Sequence, residues 1–211
     1  MTQELSEFSR MIVGGKADRA KSFLTAMLEC GANPLGVIDG EMAQAMSEVG
    51  AKFKNNEFYV PEVILASRAY KSCLEVIRGR VHYSTIPLGK VAIGAVKGDV
   101  HDIGKNVVAM VMESAGFEVN DLGVDVHPER FAEAVEGGAQ IVALTALMST
   151  NMHAMEDIIA ELKTRGLRDQ CGVIIGGAAI TQHFADEIGA DGYGADHYEA
   201  VRVSKKLLGI L

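Results

Sequence analysis

The sequence contains few cysteines and few prolines. Cys30, Cys73 and Cys171 are far apart and form no Cys-x-x-Cys pair, so their spacing does not support a zinc site built from neighbouring cysteines. An odd number of isolated cysteines also argues against a disulfide framework. The 4 prolines are outnumbered by 23 glycines, which suits a chain with many tight turns between regular elements.

Long basic runs and long apolar runs are also missing. The formal net charge is −8, and the basic residues form a single adjacent pair, Lys205-Lys206, so we do not expect nucleic-acid binding through phosphate neutralisation. No apolar stretch approaches the ~20 residues that span a bilayer. The acidic start over residues 1–4 lacks a signal-peptide core. These absences predict a cytoplasmic protein that binds neither nucleic acid nor a membrane.

The N-terminal part of the sequence has a helical pattern. Hydrophobic residues make up 48% of the 211 residues, which is enough for one large or two small globular domains. Up to about residue 85 the apolar residues recur at helical spacing, and Pro34 and Pro61 stand where helices begin. We therefore predict a four-helix bundle over residues 1–85, with a third helix that runs from Pro34 and stops at Gly50.

The pattern changes after a predicted linker over residues 80–90. Continuous apolar runs at 91–96, 141–144 and 173–175 are typical of strands buried on both faces, and shorter candidates lie at 117–119 and 191–193. Helical patterns separate these runs. Residues 86–211 are therefore predicted to form an α/β domain with a flavodoxin-like, doubly wound, five-stranded parallel sheet of order 2-1-3-4-5. The predicted helices cover residues 104–115, 128–136, 152–165, 181–188 and 199–208.

Polar and small residues follow three of the predicted strands, at 97–106, 145–152 and 176–179. In a doubly wound sheet, ligands bind beyond the carboxyl ends of the strands, so these loops should meet at one crevice. His101 on the first loop could bind a metal through one ring nitrogen, while Asp99 accepts a hydrogen bond from the other. Taken alone, the Asp-x-His pair is equally compatible with an incidental polar loop.

Three separated elements follow the predicted strands in order: Asp99-x-His101-x-x-Gly104, Thr145-x-Leu147 and Gly176-Gly177. Together they closely resemble the signature of the cobalamin-binding domain of methionine synthase and of related corrinoid methyl carriers. The segments 49–53 and 57–63 look like the helical cap that precedes this domain. The resemblance covers nearly the whole chain and is strongest to the free-standing corrinoid proteins of anaerobic methyltransferase systems.

The resemblance implies a cobalamin or related corrinoid cofactor, alternating between cob(I)alamin and methylcob(III)alamin, with His101 as the lower axial ligand of cobalt. It implies a channel for the nucleotide tail, in which the small residue Gly94 also makes sense. Tyr59 and Val60 would lie over the upper face of the corrin. The residues implied to bind the cofactor are Gly98, Asp99, Val100, His101, Asp102, Ile103, Gly104, Thr145, Leu147, Ser149, Asn151, Gly176, Gly177, Tyr59, Val60 and His197.

Three of these positions depart from the family pattern. Thr145 replaces a serine but supplies the same hydroxyl to the tail. Asn151 replaces a serine that extends the His–Asp relay in methionine synthase; its amide can donate to Asp99 but cannot pass a proton on. His197 stands where the family has a small residue, and it could equally touch the tail or lie at the rim.

The resemblance also implies partners. A substrate-specific methyltransferase would load the cofactor, a second one would pass the methyl group to tetrahydrofolate or a thiol, and a reductive activation protein would restore the cofactor. The chain would then be a non-catalytic carrier, with a hinge near Pro87 that lets the cap move aside. The alternatives are the small subunit of an adenosylcobalamin-dependent mutase, a cobalamin sensor, or a hydrolase that uses Asp99, His101 and Asp102 as ligands for another metal.

Overall fold

The computed structural model describes residues 5–80 and 87–210. The chain divides into two compact units, one up to residue 81 and one from residue 82 onward. The domain boundary predicted between residues 85 and 86 lies outside the described residues. In the described part of the chain, no helix combines the length and the apolar character needed to cross a membrane.

The first unit is helical, as predicted. Its core is formed by the apolar faces of these helices, with Phe8, Ile12, Leu24, Met42 and Ile77 fully buried. A π-helical turn, Ile38–Met42, joins the third helix to the fourth without a break. The helices are α1 Glu7–Val13, α2 Ala17–Glu29, α3 Pro34–Val37, α4 Ala43–Lys54 and α5 Val60–Arg78.

The predicted stop at Gly50 is wrong, because the helix continues through it to Lys54. A glycine inside an exposed helix weakens it by only about 1 kcal/mol and does not by itself end it. The helix ends instead at two asparagines. The N–H of Asn55 donates to the Ala51 carbonyl, and Asn56 takes a left-handed conformation with φ of 59°, which asparagine tolerates better than most residues.

The second unit contains the predicted five-stranded parallel sheet, in the order β2-β1-β3-β4-β5. Its central strands carry the buried apolar runs that the sequence shows, and helices cover both faces. The strands are β1 Lys90–Val96, β2 Glu118–Val126, β3 Ile141–Thr145, β4 Gly172–Gly176 and β5 Gly192–Gly194. The helices are α6 Ile103–Ser114, α7 Pro128–Glu136, α8 Ala154–Thr164, α9 Gln182–Ile188 and α10 His197–Leu207.

Two features of this unit differ from the sequence-based expectation. Strand β2 extends to Val126 instead of ending at residue 119; it lies at the sheet edge, where exposed polar residues break the apolar run. Gly94 is small for a packing reason, since a Cβ there would lie 2.8 Å from Cζ of Phe131 and 3.1 Å from Cγ2 of Val126. Gly94 therefore lets helix α7 pack closely on β1, and its predicted place in a tail channel is not needed to explain it.

Candidate functional site

The loops at the carboxyl ends of the strands form one edge of the sheet. Because all strands are parallel and β1 lies between β2 and β3, the loop after β1 is flanked by the ends of both neighbours. This edge brings together the predicted site residues of the second unit: Gly98 to Gly104 after β1, Thr145 to Asn151 at the end of β3, Gly176 and Gly177 at the end of β4, and His197 after β5.

His101 is held by Asp99 on the same loop. Its Nδ1 lies 2.8 Å from Oδ1 of Asp99, and its backbone N–H donates to the same oxygen at 2.8 Å. The His101 side chain is 46% exposed, while that of Asp99 is fully buried. A carboxylate beside Nδ1 favours the tautomer with the proton on Nδ1. In that tautomer Nε2 carries the lone pair that a metal ligand requires.

Asp99 also ties this loop to the next one. Its Oδ2 accepts the backbone N–H of Leu147 at 2.6 Å. Burial raises the pKa of the Asp99 carboxyl, but the hydrogen bonds from the Leu147 N–H and from the backbone and ring of His101 outweigh burial and hold the pKa below its usual value. The carboxylate is therefore ionised at neutral pH, and both of its oxygens are engaged.

Asn151 does not extend the His–Asp pair in the way that the sequence suggested. Its Nδ2 donates to the carbonyl of Gly98 at 3.0 Å, and its Oδ1 accepts from the Thr150 hydroxyl at 3.2 Å. The two oxygens of Asp99 are occupied by Leu147 and His101. Asn151 therefore supports the backbone of the loop. The second oxygen of Asp99 is occupied by the backbone N–H of Leu147, not by a side-chain hydroxyl.

Two glycines after β4 allow backbones to approach closely. Gly177 has φ of +128°, and a Cβ there would lie 2.0 Å from the carbonyl oxygen of Ala146; a Cβ on Gly176 would lie 2.8 Å from the carbonyl oxygen of Gly194. No larger residue fits at either position. The loops after β3 and β4 and the end of β5 therefore lie directly against one another, beside the half-buried Thr145, whose hydroxyl lies 3.5 Å from the Gly94 carbonyl.

Apolar side chains are exposed around His101. Three apolar side chains are exposed: Val100, at 67%, Leu147 and Met148. Clustered exposed apolar side chains mark surfaces that bind ligands or partners. Met148 was missed by the sequence analysis, and its place directly after Leu147 on an otherwise polar loop is the signal that could have found it.

The other predicted residues lie in less distinctive places. Ile103 and Gly104 begin helix α6, Ser149 lies in an exposed 3-10 turn, and the ring of His197, at the start of α10, lies 4.3 Å from the ring of Tyr198. Tyr59 and Val60 belong to the first unit, at the start of α5, and both are well exposed.

Two family models, each described as a B12 binding domain, match residues 89–202 and residues 4–78. The chain belongs to this family of B12-binding proteins, and the sequence-based recognition is confirmed. Dimethylamine corrinoid protein 2 of Methanosarcina acetivorans is 38% identical over 97% of this chain and 95% of its own length. The trimethylamine corrinoid protein of Methanosarcina barkeri is 40% identical over 90% of each chain.

Solved structures agree with these relatives. The monomethylamine corrinoid protein of Methanosarcina barkeri matches with a TM-score of 0.84 and 28% identity, over 96% of this chain and 97% of that one. A chain of the methanol:cobalamin methyltransferase complex from the same organism matches with a TM-score of 0.56 and 27% identity, over 96% of this chain and 78% of that one.

The site fits a cobalamin cofactor. Within residues 5–80 and 87–210, no three His, Cys, Asp or Glu side chains group as a metal site would require, and Asp99 is engaged by hydrogen bonds. What the edge offers is the half-exposed ring of His101, with exposed apolar side chains on its own loop and on the loop after β3. A corrin, which supplies the equatorial ligands of its own cobalt and is largely apolar, needs that combination on its lower face.

We expect Asp99→Asn to lower the free energy of unfolding by about 1–3 kcal/mol at neutral pH, because a buried carboxylate that accepts three hydrogen bonds is lost. Since the pKa of Asp99 is lowered in the folded state, its contribution is present above the ordinary value of 3.8 and is lost as the pH falls below it. Urea unfolding of both proteins at several pH values should show the difference shrinking below about pH 4.

The exposed residue Asp157 on α8 provides the control. Asp157→Asn should change the free energy of unfolding by a few tenths of a kcal/mol at any of these pH values. A difference between wild type and Asp99→Asn that stays constant from pH 7 to pH 3 would contradict an ionised, hydrogen-bonded Asp99.

Proposed function

We propose that this chain carries a methyl group on a bound corrinoid from a substrate-specific methyltransferase to a second methyltransferase, with His101 as the lower axial ligand. The observation that carries the proposal is the His101–Asp99 pair, in which Nδ1 is engaged by Asp99 and the ring stays half exposed. Exposed apolar side chains, Val100, Leu147 and Met148, stand on the same loop and on the loop after β3. The two B12 binding domain matches, which together cover residues 4–78 and 89–202, support it.

When bound, the corrinoid supplies a cobalt centre that accepts a methyl group and releases it to a nucleophile. The protein's own residues have binding and orienting roles. Asp99 keeps the His101 ring in one orientation and one tautomer. Val100, Leu147 and Met148 exclude water beneath the corrin, and Thr145, Ser149, Gly176, Gly177 and His197 line the path of the nucleotide tail.

The methyl source is proposed to be a methylamine. Relatives that align with 90% or more of this chain are named dimethylamine and trimethylamine corrinoid proteins, and the similar structure with the higher TM-score is a monomethylamine corrinoid protein. The acceptor would be tetrahydrofolate or a thiol held by the second methyltransferase, and a reductive activation protein would restore oxidised cofactor. The helical first unit, which has its own B12 family model, favours the carrier over a mutase subunit, and the relatives named corrinoid proteins favour it over a sensor.

The methylamine proposal predicts which methyltransferase loads the protein. The chain loaded with reduced cobalamin should be methylated by a mono-, di- or trimethylamine methyltransferase in the presence of its amine, and not by a methanol methyltransferase with methanol. The absorbance change of the corrinoid reports the transfer. Transfer from methanol alone would contradict the proposed substrate class while leaving the carrier role intact.

The axial-ligand proposal predicts the spin-resonance spectrum of the protein reconstituted with Co(II) cobalamin. Wild type should show hyperfine coupling to one histidine nitrogen, and ¹⁵N labelling of the protein's histidines should change that splitting. His101→Gly should lose the coupling because the imidazole that Asp99 orients is gone. His153→Gly, which removes an exposed histidine on the loop before α8, is the matched control and should keep the wild-type spectrum.

An unchanged coupling in His101→Gly would show that another residue, or the cofactor's own base, binds cobalt from below. Retained cofactor without the coupling is the expected result, because the contacts to the tail do not depend on His101.

The first unit is proposed to cover the upper face of the corrin through an apolar patch at the start of α5. The patch consists of Tyr59, Val60, Ile64 and Leu65, each half exposed or more, with Tyr59 at 64%. Apolar side chains in such a group are rarely left to solvent without a binding role. The helix start itself is stabilised independently, since the Glu62 carboxylate accepts the Tyr59 backbone N–H at 2.9 Å.

The cover predicts protection of bound methylcobalamin from light. Removing the two side chains in a Tyr59→Ala, Val60→Ala double variant should raise the photolysis rate severalfold, because the methyl radical then escapes more readily. The fold should be unaffected because both side chains are exposed and the Glu62 contact is to the backbone. Leu207→Ala, at an exposed apolar position on α10, is the control; equal rates in all three proteins would argue that the patch serves another purpose.

A further inference from the structure

Strand β2 is irregular where it passes the His101 loop. Ile93 of β1 pairs with Asp121, and Val96 pairs with Val126, so β2 uses two more residues than β1 over the same stretch. Such bulges turn side chains in new directions and are frequent next to functional sites. Here they bring the end of β2, and Asp125 in particular, to the loop that follows β1.

Asp125 makes two contacts with the backbone of that loop. Its Oδ1 accepts the N–H of Gly98 at 2.7 Å, and its own N–H donates to the carbonyl of Asp99 at 2.8 Å. On the other side, the Asn151 amide donates to the carbonyl of Gly98 at 3.0 Å. The peptide groups on both sides of Gly98 are thus held from β2 and from the loop after β3, one residue before Asp99 and three before His101.

The first turn of helix α6, which directly follows this loop, is also tied to β2. Lys105, whose side chain is 1% exposed, places Nζ 2.6 Å and 2.5 Å from the two carboxylate oxygens of Asp121 and 2.8 Å from Oδ1 of Asn106. Because the Lys105 side chain is buried, breaking this ion pair would leave its charge uncompensated, so the pair resists separation. The segment from Gly98 to Lys105 is therefore anchored at both ends by carboxylates of β2.

We propose that Asp125 is a positioning residue for the axial ligand, which sets the place of His101 by holding the Gly98 and Asp99 backbone. This inference rests on the proposed function, in which His101 binds cobalt. Asp99 sets the orientation of the His101 ring. The position of the ring relative to the cofactor depends on where the loop backbone is held. Asp125 acts on that backbone, and the Lys105–Asp121 pair keeps α6 in place when Asp125 is altered.

The residue type at 125 makes a sharp experiment available. Asp125 has φ of 52°, a left-handed conformation that glycine adopts without strain and asparagine tolerates. Asp125→Gly therefore removes the acceptor for the Gly98 N–H without backbone strain. Asp125→Asn keeps both the conformation and an acceptor oxygen, so it serves as the conservative variant.

The first measurement is amide hydrogen exchange of Gly98 in the protein without cofactor. Loss of a charge-assisted hydrogen bond should speed exchange by about tenfold or more in Asp125→Gly, with most of the protection restored in Asp125→Asn. Asp191→Gly is the matched control, because the Asp191 carboxylate likewise accepts a strand N–H, that of Val173, at 2.6 Å. It should destabilise the amino end of the sheet and leave Gly98 exchange unchanged.

The second measurement is the histidine nitrogen coupling in the Co(II) spectrum of the cobalamin-loaded variants. The histidine-ligated fraction should fall in Asp125→Gly, remain near wild type in Asp125→Asn, and be unaffected in Asp191→Gly. Asn151→Ala removes the hydrogen bond to the Gly98 carbonyl and should also lower the histidine-ligated fraction. It provides an independent variant if Asp125→Gly does not fold.

The outcomes separate this inference from the proposed function. Wild-type coupling that persists in Asp125→Gly and in Asn151→Ala would overturn the positioning role of Asp125 and leave the axial-ligand proposal intact. Absence of histidine coupling in the wild type would overturn the axial-ligand proposal and this inference with it. An equal fall in Asp191→Gly would show general destabilisation instead of positioning, and would also overturn the inference.

Discussion

The buried carboxylate of Asp99 joins the two loops on which the site is built. One oxygen accepts from the backbone and ring of His101, and the other accepts from the N–H of Leu147 on the loop after β3. Because these hydrogen bonds outweigh the effect of burial and lower the pKa of the group, the charge persists at neutral pH and the three donors stay in place. The orientation of the His101 ring and the spacing of the two loops thus depend on one side chain.

The sheet order makes this arrangement possible. With β1 between β2 and β3, the loop that carries His101 donates a hydrogen bond to Asp125 on one side and accepts hydrogen bonds from Leu147 and Asn151 on the other. Parallel strands put all of these groups at the same edge. A loop at the outer edge of the sheet would be supported from one side only, and its histidine would be correspondingly less well placed.

Continuous apolar runs and an Asp-x-His motif were enough to predict the sheet order, the site edge and the Asp99–His101 contact, because each depends on local pattern. The rest depends on tertiary pairing that no local pattern encodes. Strand β2 was recognised only at its start, since its polar end is extended by pairing with β1, and so Asp125 was missed. The sequence left the partner of Asn151 open for the same reason, because only the folded loops decide which carbonyl or carboxylate lies within reach of its amide.

The donor set has a consequence for selectivity. Among the described residues, no three His, Cys, Asp or Glu side chains group together, and the His101–Asp99 pair leaves one imidazole nitrogen that is not bonded to Asp99. A free divalent ion such as zinc needs three or four protein ligands to be held against water, so one nitrogen cannot retain it. A corrinoid ring already fills the four equatorial coordination positions of its cobalt, so it needs only one further ligand from the protein. The low number of protein ligands therefore favours a metal that brings its own macrocycle over free metal ions that compete for the same nitrogen.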